Sequence, residues 1–135
     1  MALIFGLSTN AGSPRNTSRF IDPIVRWLVP GISDEAVGRV VTVVRKSAHV
    51  TEYAVLALLC WRARRKPEHG NNRPWRWREA GFALMLAVLF SITDEWHQSF
   101  VPSREGSARD VLIDSAGATL GLLAMWRFGR WRGRW

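Results

Sequence analysis

The sequence predicts an all-α protein, a small transmembrane helical bundle of three to four spans with one short interfacial helix. Three observations lead there. Apolar runs with almost no charge (Ala54–Trp61, Ala80–Thr93 and Val111–Phe128) alternate with polar blocks rich in arginine. If each run ends a span, the Arg62–Arg78 block and the tail share one side with eleven basic and two acidic residues, leaving eight basic and nine acidic for the other. That asymmetry is the positive-inside pattern, and it puts the arginine-rich side in the cytoplasm. Six of the eight tryptophans (Trp61, Trp75, Trp77, Trp126, Trp131 and Trp135) fall on that same side, where an aromatic belt sits at headgroup depth.

In chain order, Met1–Leu7 is apolar but short, with no positive residue before Ser8, so it reads as a surface anchor, the stub of a first span or nothing, rather than a cleaved leader. Ser8–Ser18 reads as loop, and Ile21–Pro30 as a short interfacial helix closed by Pro30-Gly31. Ser33 is a good N-cap for a helix over Asp34–Trp61, with Asp34 and Glu35 in its first turn. Arg62–Arg78 is a basic cytoplasmic loop broken by Pro67, Gly70 and Pro74. Ala80–Thr93 is helical, Asp94–Asp110 is a polar stretch between spans, Val111–Phe128 is the last helix, and residues 127–135 form an Arg/Trp tail. The whole chain, 1–135, is one domain. At about 1.5 Å per residue, Val111–Trp126 covers roughly 24 Å, short of the roughly 30 Å hydrocarbon core. A soluble bundle is the alternative that charge sorting argues against.

A formal net charge of +8 fits an anionic membrane surface, nucleic acid or an acidic ligand. Arginine interleaved with tryptophan suits single-stranded nucleic acid, but headgroup anchoring is the commoner use of such a tail and nucleic acid is not favoured. The lone Cys60 cannot form an internal disulfide.

Chemistry-bearing residues fall in three clusters. Arg45, His49 and Tyr53 step by four, and Glu52 follows His49 by three, so one helix face carries them beside Lys46. Asp94, Glu95, His97 and Gln98 form the second cluster, with Arg104 following. Asp110 and Asp114 form the third, on one face with Gly117 and Gly121. That G-x-x-x-G spacing admits a close helical neighbour, including a second copy of the chain. Ionisable groups at membrane depth are costly unless paired or hydrated, which makes them functional candidates. There is no H-E-x-x-H and no cysteine cluster, so no metal site is assigned. None of Ser91, Ser99, Ser103 and Ser107 sits in a G-x-S-x-G elbow. Asp94, Glu95 and His49 are the candidate acid–base groups. Arg45, Lys46, Tyr53, Gln98, Arg104, Asp110 and Asp114 are the candidate ligand-binding groups, with the cations gripping phosphate or carboxylate oxygens. Catalysis and binding both remain open on these residues.

The segments Arg45-Lys46-Ser47-Ala48-His49 running to Tyr53, Asp94-Glu95-Trp96-His97-Gln98-Ser99-Phe100-Val101-Pro102-Ser103-Arg104, and Asp110-Val111-Leu112-Ile113-Asp114-Ser115-Ala116-Gly117, in this order, resemble the VanZ-like family over about Val40 to Leu123. The resemblance implies a small bacterial integral membrane protein, and its namesake is associated with resistance to the glycopeptide teicoplanin. It brings no settled activity and no known cofactor. It implies the quoted polar residues as site residues without roles. Family members usually begin with a complete first span, where only Met1–Leu7 stands here, so the true start lies upstream or the chain makes do with three spans and a stub. The expected protein is thus a multi-pass protein of the bacterial inner membrane with the arginine-rich loop and C-terminus cytoplasmic. Its polar site faces the outer leaflet and binds an anionic, lipid-linked or peptidoglycan-related headgroup. Two alternatives are a membrane-embedded hydrolase or transferase on such a substrate, and a soluble nucleic-acid-binding protein.

Overall fold

The computed structural model describes residues 14–65, 74–100 and 106–135, and all regular structure among them is helical. Four helices follow one another: α1 (Pro14–Leu28), α2 (Asp34–Arg65), α3 (Trp77–Gln98) and α4 (Ala108–Trp131). The expectations for Met1–Leu7, for the middle of the basic loop and for Arg104 lie outside the described residues.

Every expected helix is present; the last three extend beyond their apolar runs, while the first begins earlier than expected and ends at Leu28, two residues before Pro30. α1 begins at Pro14 inside the expected loop, because proline is well placed in a helix's first turn, where its missing N–H costs nothing. α2 continues through Arg62, Arg64 and Arg65, since basic side chains favour the carbonyl end of a helix. At the other end the Ser33 hydroxyl accepts from Ala36 N–H at 3.3 Å, as expected of the N-cap. α3 takes in Asp94–Gln98, so the front of the expected polar loop is the last turn of a helix. α4 begins at Ala108 with Ser107 as N-cap and runs through Trp131, absorbing Asp110 and much of the tail.

α2, α3 and α4 pack together, with α2 against α4 the most extensive contact, while α1 rests on α2. The centre is built from small residues. Ala80, Ala83, Ala87 and Ser91 form the buried face of α3, opposite Tyr53, Leu56 and Ala57 of α2 and Ala118 and Leu122 of α4. Gly117 and Gly121 bring α4 close to α2. A Cβ at Gly117 would stand 2.5 Å from the Val50 carbonyl oxygen, and one at Gly121 would stand 2.9 Å from Ala54 Cβ. The small-residue stripe therefore receives a neighbouring helix, as its spacing predicts, and that helix is α2 of the same chain.

One end of the bundle is closed by aromatic rings. Trp61 and Trp75 lie 4.9 Å apart between centroids, and Trp135 folds back beside both at 6.0 and 5.6 Å. The buried Arg65 guanidinium stacks over Trp61 at 5.1 Å and Trp135 at 5.0 Å. The Trp135 indole donates to the Trp126 carbonyl at 3.1 Å, over the surface left open by Gly129.

Among the described residues one helix, α4, is long and apolar enough to cross a membrane, and only 22% of its most apolar window is buried within the chain. At about 1.5 Å per residue its full length is roughly 36 Å, enough to cross, where the apolar run alone fell short. α2 is longer still but carries Arg45, Lys46, His49 and Glu52 in mid-helix. Composition thus supports one span, fewer than the three to four expected.

Candidate functional site

At the end opposite the tryptophans, the buried faces of α2, α3 and α4 turn from apolar to polar. On α3 the change falls between Ala87 and Ser91, and the face continues through Asp94 and Gln98 at helical spacing. Ser91, Asp94, Glu95, Gln98 and Asp114 are the buried polar residues here.

Asp114 is at the centre, with only 1% of its surface exposed. The Ser91 hydroxyl donates to its Oδ2 at 2.8 Å. His49 Nδ1 from α2 stands 3.6 Å from its Oδ1, an ion pair when the imidazole is protonated and longer than a hydrogen bond. One turn earlier, Lys46 of α2 makes a salt bridge to Asp110 at the half-exposed rim. The sequence face that carries Asp110, Asp114, Gly117 and Gly121 thus meets α2 along its length, with charged contacts above and close packing below.

Asp94 accepts from the Gln98 side-chain amide at 2.7 Å, one turn along α3. Glu95 has a different role. Its carboxylate accepts from the Ser107 backbone N–H at 2.8 Å, and Ser107 is the residue that caps α4. A carboxylate at a helix N-terminus satisfies an orphan donor and meets the positive end of the helix dipole. Glu95 therefore ties α3 to α4 across the loop, and Gly106 allows the close approach, since a Cβ there would stand 2.5 Å from the Glu95 carbonyl oxygen. Tyr53, 1% exposed, sits deeper in α2, at the same end of the bundle as Ser91, Asp94 and Asp114.

Four polar atoms in this cluster are buried without a hydrogen-bond partner: His49 Nδ1, Tyr53 Oη, Asp94 Oδ1 and Asp114 Oδ1. His49 Nδ1 and Asp114 Oδ1 face each other at 3.6 Å, and buried polar groups are nearly always satisfied, so Tyr53 Oη and Asp94 Oδ1 are the atoms that suit water or ligand partners. The interior thus offers one carboxylate oxygen and one phenol, while Lys46 and the exposed Arg109 put positive charge at the rim.

Of the expected site residues, the structure brings together Lys46, His49, Tyr53, Asp94, Glu95, Gln98, Asp110 and Asp114. Arg45 is half-buried one residue before Lys46, and Arg104 lies outside the described residues. His97, expected beside Asp94, is exposed on the other side of α3. Ser91 and Ser107 were missed as partners of the acids. The signal for Ser91 was its place three residues before Asp94 and seven before Gln98, on one helical stripe. Ser91 donates to Asp114 rather than to His49, so these three residues do not form a serine–histidine nucleophile pair.

No curated protein and no solved structure matches the chain. The sequence model of the family described as VanZ/LLP1 matches residues 1–129, which takes in all four helices except the last residues of α4. The polar end of the bundle is built from the same segments that carry the family resemblance, and the chain belongs to the VanZ/LLP1 family.

Proposed function

We propose that this VanZ-family chain, as one domain, is an integral protein of the bacterial inner membrane whose long helices α2, α3 and α4 span the bilayer. Its polar end forms an outer-leaflet site for an anionic envelope headgroup, linked to tolerance of glycopeptides such as teicoplanin. The observation that carries this reading is an inversion of the usual distribution of polarity. Ser91, Asp94, Glu95, Gln98 and Asp114 are buried, while Val43, Val55, Leu59, Phe82, Met85, Leu89, Ile92, Leu112 and Leu120 stand exposed around the outside. In water such an apolar wall is costly, and in lipid it is the expected surface. Lys46 and His49, two of the polar groups interrupting α2, then pair with Asp110 and Asp114 of α4, where paired intramembrane charges belong.

The ligand chemistry follows from the two levels of the site. Lys46 and Arg109 at the rim suit phosphate or carboxylate oxygens. Below them, the open acceptor of Asp94 suits a hydroxyl or amide donor, as a lipid-linked peptidoglycan precursor would offer. The test uses purified protein in phosphatidylcholine nanodiscs with an undecaprenyl-linked peptidoglycan precursor as probe. The precursor is expected to raise the thermal midpoint of the wild type and to leave Lys46→Ala unmoved. Expression of the wild type, and not of Lys46→Ala, is expected to raise teicoplanin tolerance in a bacterial host. Equal shifts in both proteins would sink the assignment. Precursor turnover that Asp94→Ala abolishes while keeping the shift would favour the hydrolase or transferase reading instead.

A further inference from the structure

The other end of the molecule holds a half-open surface cavity of about 300 Å³ lined by the exposed Arg64, Arg76 and Arg78 and by Glu79, where the last turn of α2 meets the start of α3. That volume is at the small end of ligand sites, about 300–1,000 Å³. Three guanidinium groups against one carboxylate leave its lining strongly positive. Among the described residues no acidic side chain makes an ion pair with any of the three arginines. Arg64 is held in place by stacking over the Phe82 ring at 4.7 Å, one turn into α3.

The start of α3 adds fixed donors to those charges. Its N-cap residue is Arg76, whose side chain makes no capping hydrogen bond. The Arg76 carbonyl accepts from the N–H groups of Glu79 and Ala80. Among the described residues the earlier N–H groups, at Trp77 and Arg78, are left to an outside acceptor. A helix whose N-cap is a cation lacks the acceptor that serine or aspartate would supply, and an anion bound there would supply it. The cavity also sits beside the tryptophan cluster, with Trp77 packed on Trp75 at 5.7 Å and on Trp126 at 5.5 Å. Amphipathic rings of that kind mark headgroup depth in a membrane protein.

We infer that this cavity is a binding site for the phosphodiester of an anionic phospholipid headgroup in the cytoplasmic leaflet, gripped by Arg64, Arg76, Arg78 and the N-terminus of α3. The inference rests on the membrane reading above but not on the outer-leaflet ligand. The site would anchor the α2–α3 end and fix the depth of the bundle, while the acidic cluster at the other end does its own work.

The experiment has two stages, both on the full chain. Membranes containing the protein are first washed with alkaline carbonate. Release of the protein overturns the membrane reading and this site with it. Retained protein is then purified and its thermal midpoint compared in nanodiscs of phosphatidylcholine alone and with phosphatidylglycerol. The expected result is a higher midpoint with phosphatidylglycerol. In Arg76→Gln/Arg78→Gln that increment falls by more than half while the midpoint in pure phosphatidylcholine stays at the wild-type value. Glu79→Gln, which removes the opposing charge, is expected to enlarge the increment and gives a second readout of opposite sign. An absent increment in the wild type, or one unchanged in both variants, overturns the headgroup site alone. An equal rise from inorganic phosphate in pure phosphatidylcholine nanodiscs overturns the lipid assignment in favour of a soluble phosphate.

Discussion

Asp114 shows how much one buried carboxylate can organise. It receives the Ser91 hydroxyl from α3 and faces the His49 imidazole from α2, so a single side chain of α4 joins all three long helices. Asp114→Ala strips the acceptor from Ser91 and the counter-charge from His49, and each group left buried and unsatisfied costs about 1–3 kcal/mol. Asp114→Asn keeps an oxygen for Ser91 and loses only the charge. The thermal midpoint in a neutral detergent is therefore expected to fall in the order wild type, Asp114→Asn, Asp114→Ala. Equal loss in the two variants would mean that the Ser91 bond contributes nothing. Tyr53 and the open oxygen of Asp94 belong to the same buried cluster. Residue identities told most of this in advance, because four-residue steps along α2 and α4 put the right groups on facing stripes. The partner of Asp114 was harder to see. A serine inside an apolar run looks like a neutral filler until a second helix places a carboxylate against it.

At the scale of helices, the small residues decide how close those stripes come. Gly117 lies against the Val50 backbone, so an added Cβ meets a carbonyl oxygen that cannot turn away. Gly117→Ala is expected to push α4 off α2, widen the His49–Asp114 gap and cost about 1–3 kcal/mol as overpacking. Gly38 lies in the same long α2 with nothing within 4 Å of an added Cβ. Gly38→Ala is expected to stabilise by about 0.5–1 kcal/mol, since it removes a helix-interior glycine at no steric cost. Thermal unfolding of both variants, read beside the wild type, checks the pair. A stable Gly117→Ala would place the α2–α4 contact elsewhere. The apolar runs made each helix legible, but they did not mark the ends. Asp94–Gln98 looked like loop because acids, an amide and a histidine crowd together there. Those polar groups are the buried face of α3 continued, and polarity in sequence does not distinguish a solvated loop from a polar helix interior. The ends of α2 and α4 were missed for a related reason, since arginines at a carbonyl terminus extend a helix rather than break it.

Across the whole molecule the two ends carry opposite chemistry. One end gathers Asp94, Glu95, Asp110 and Asp114, the other gathers Arg64, Arg65, Arg76, Arg78 and the tryptophan cluster, and alanines fill the length between. The helices themselves set no direction, because α2 and α4 run the same way and α3 runs back between them. On the proposed membrane reading direction comes from charge, since arginine-rich segments stay on the side where the chain is made. This orientation makes a prediction that composition alone cannot, since among the described residues only α4 passes as a span by hydropathy. With Cys60→Ala as background, single cysteines at Trp96 and Arg109 should react with a membrane-impermeant maleimide in intact cells, both positions being exposed at the acidic end. A cysteine at Arg130, exposed near the aromatic end, should react only after lysis. Labelling of all three in intact cells, or of Arg130→Cys alone, would reverse or abolish the orientation. An impermeant reagent that reached none of the three until lysis would place both ends on one side of the membrane, and α2, α3 and α4 would then not be spans.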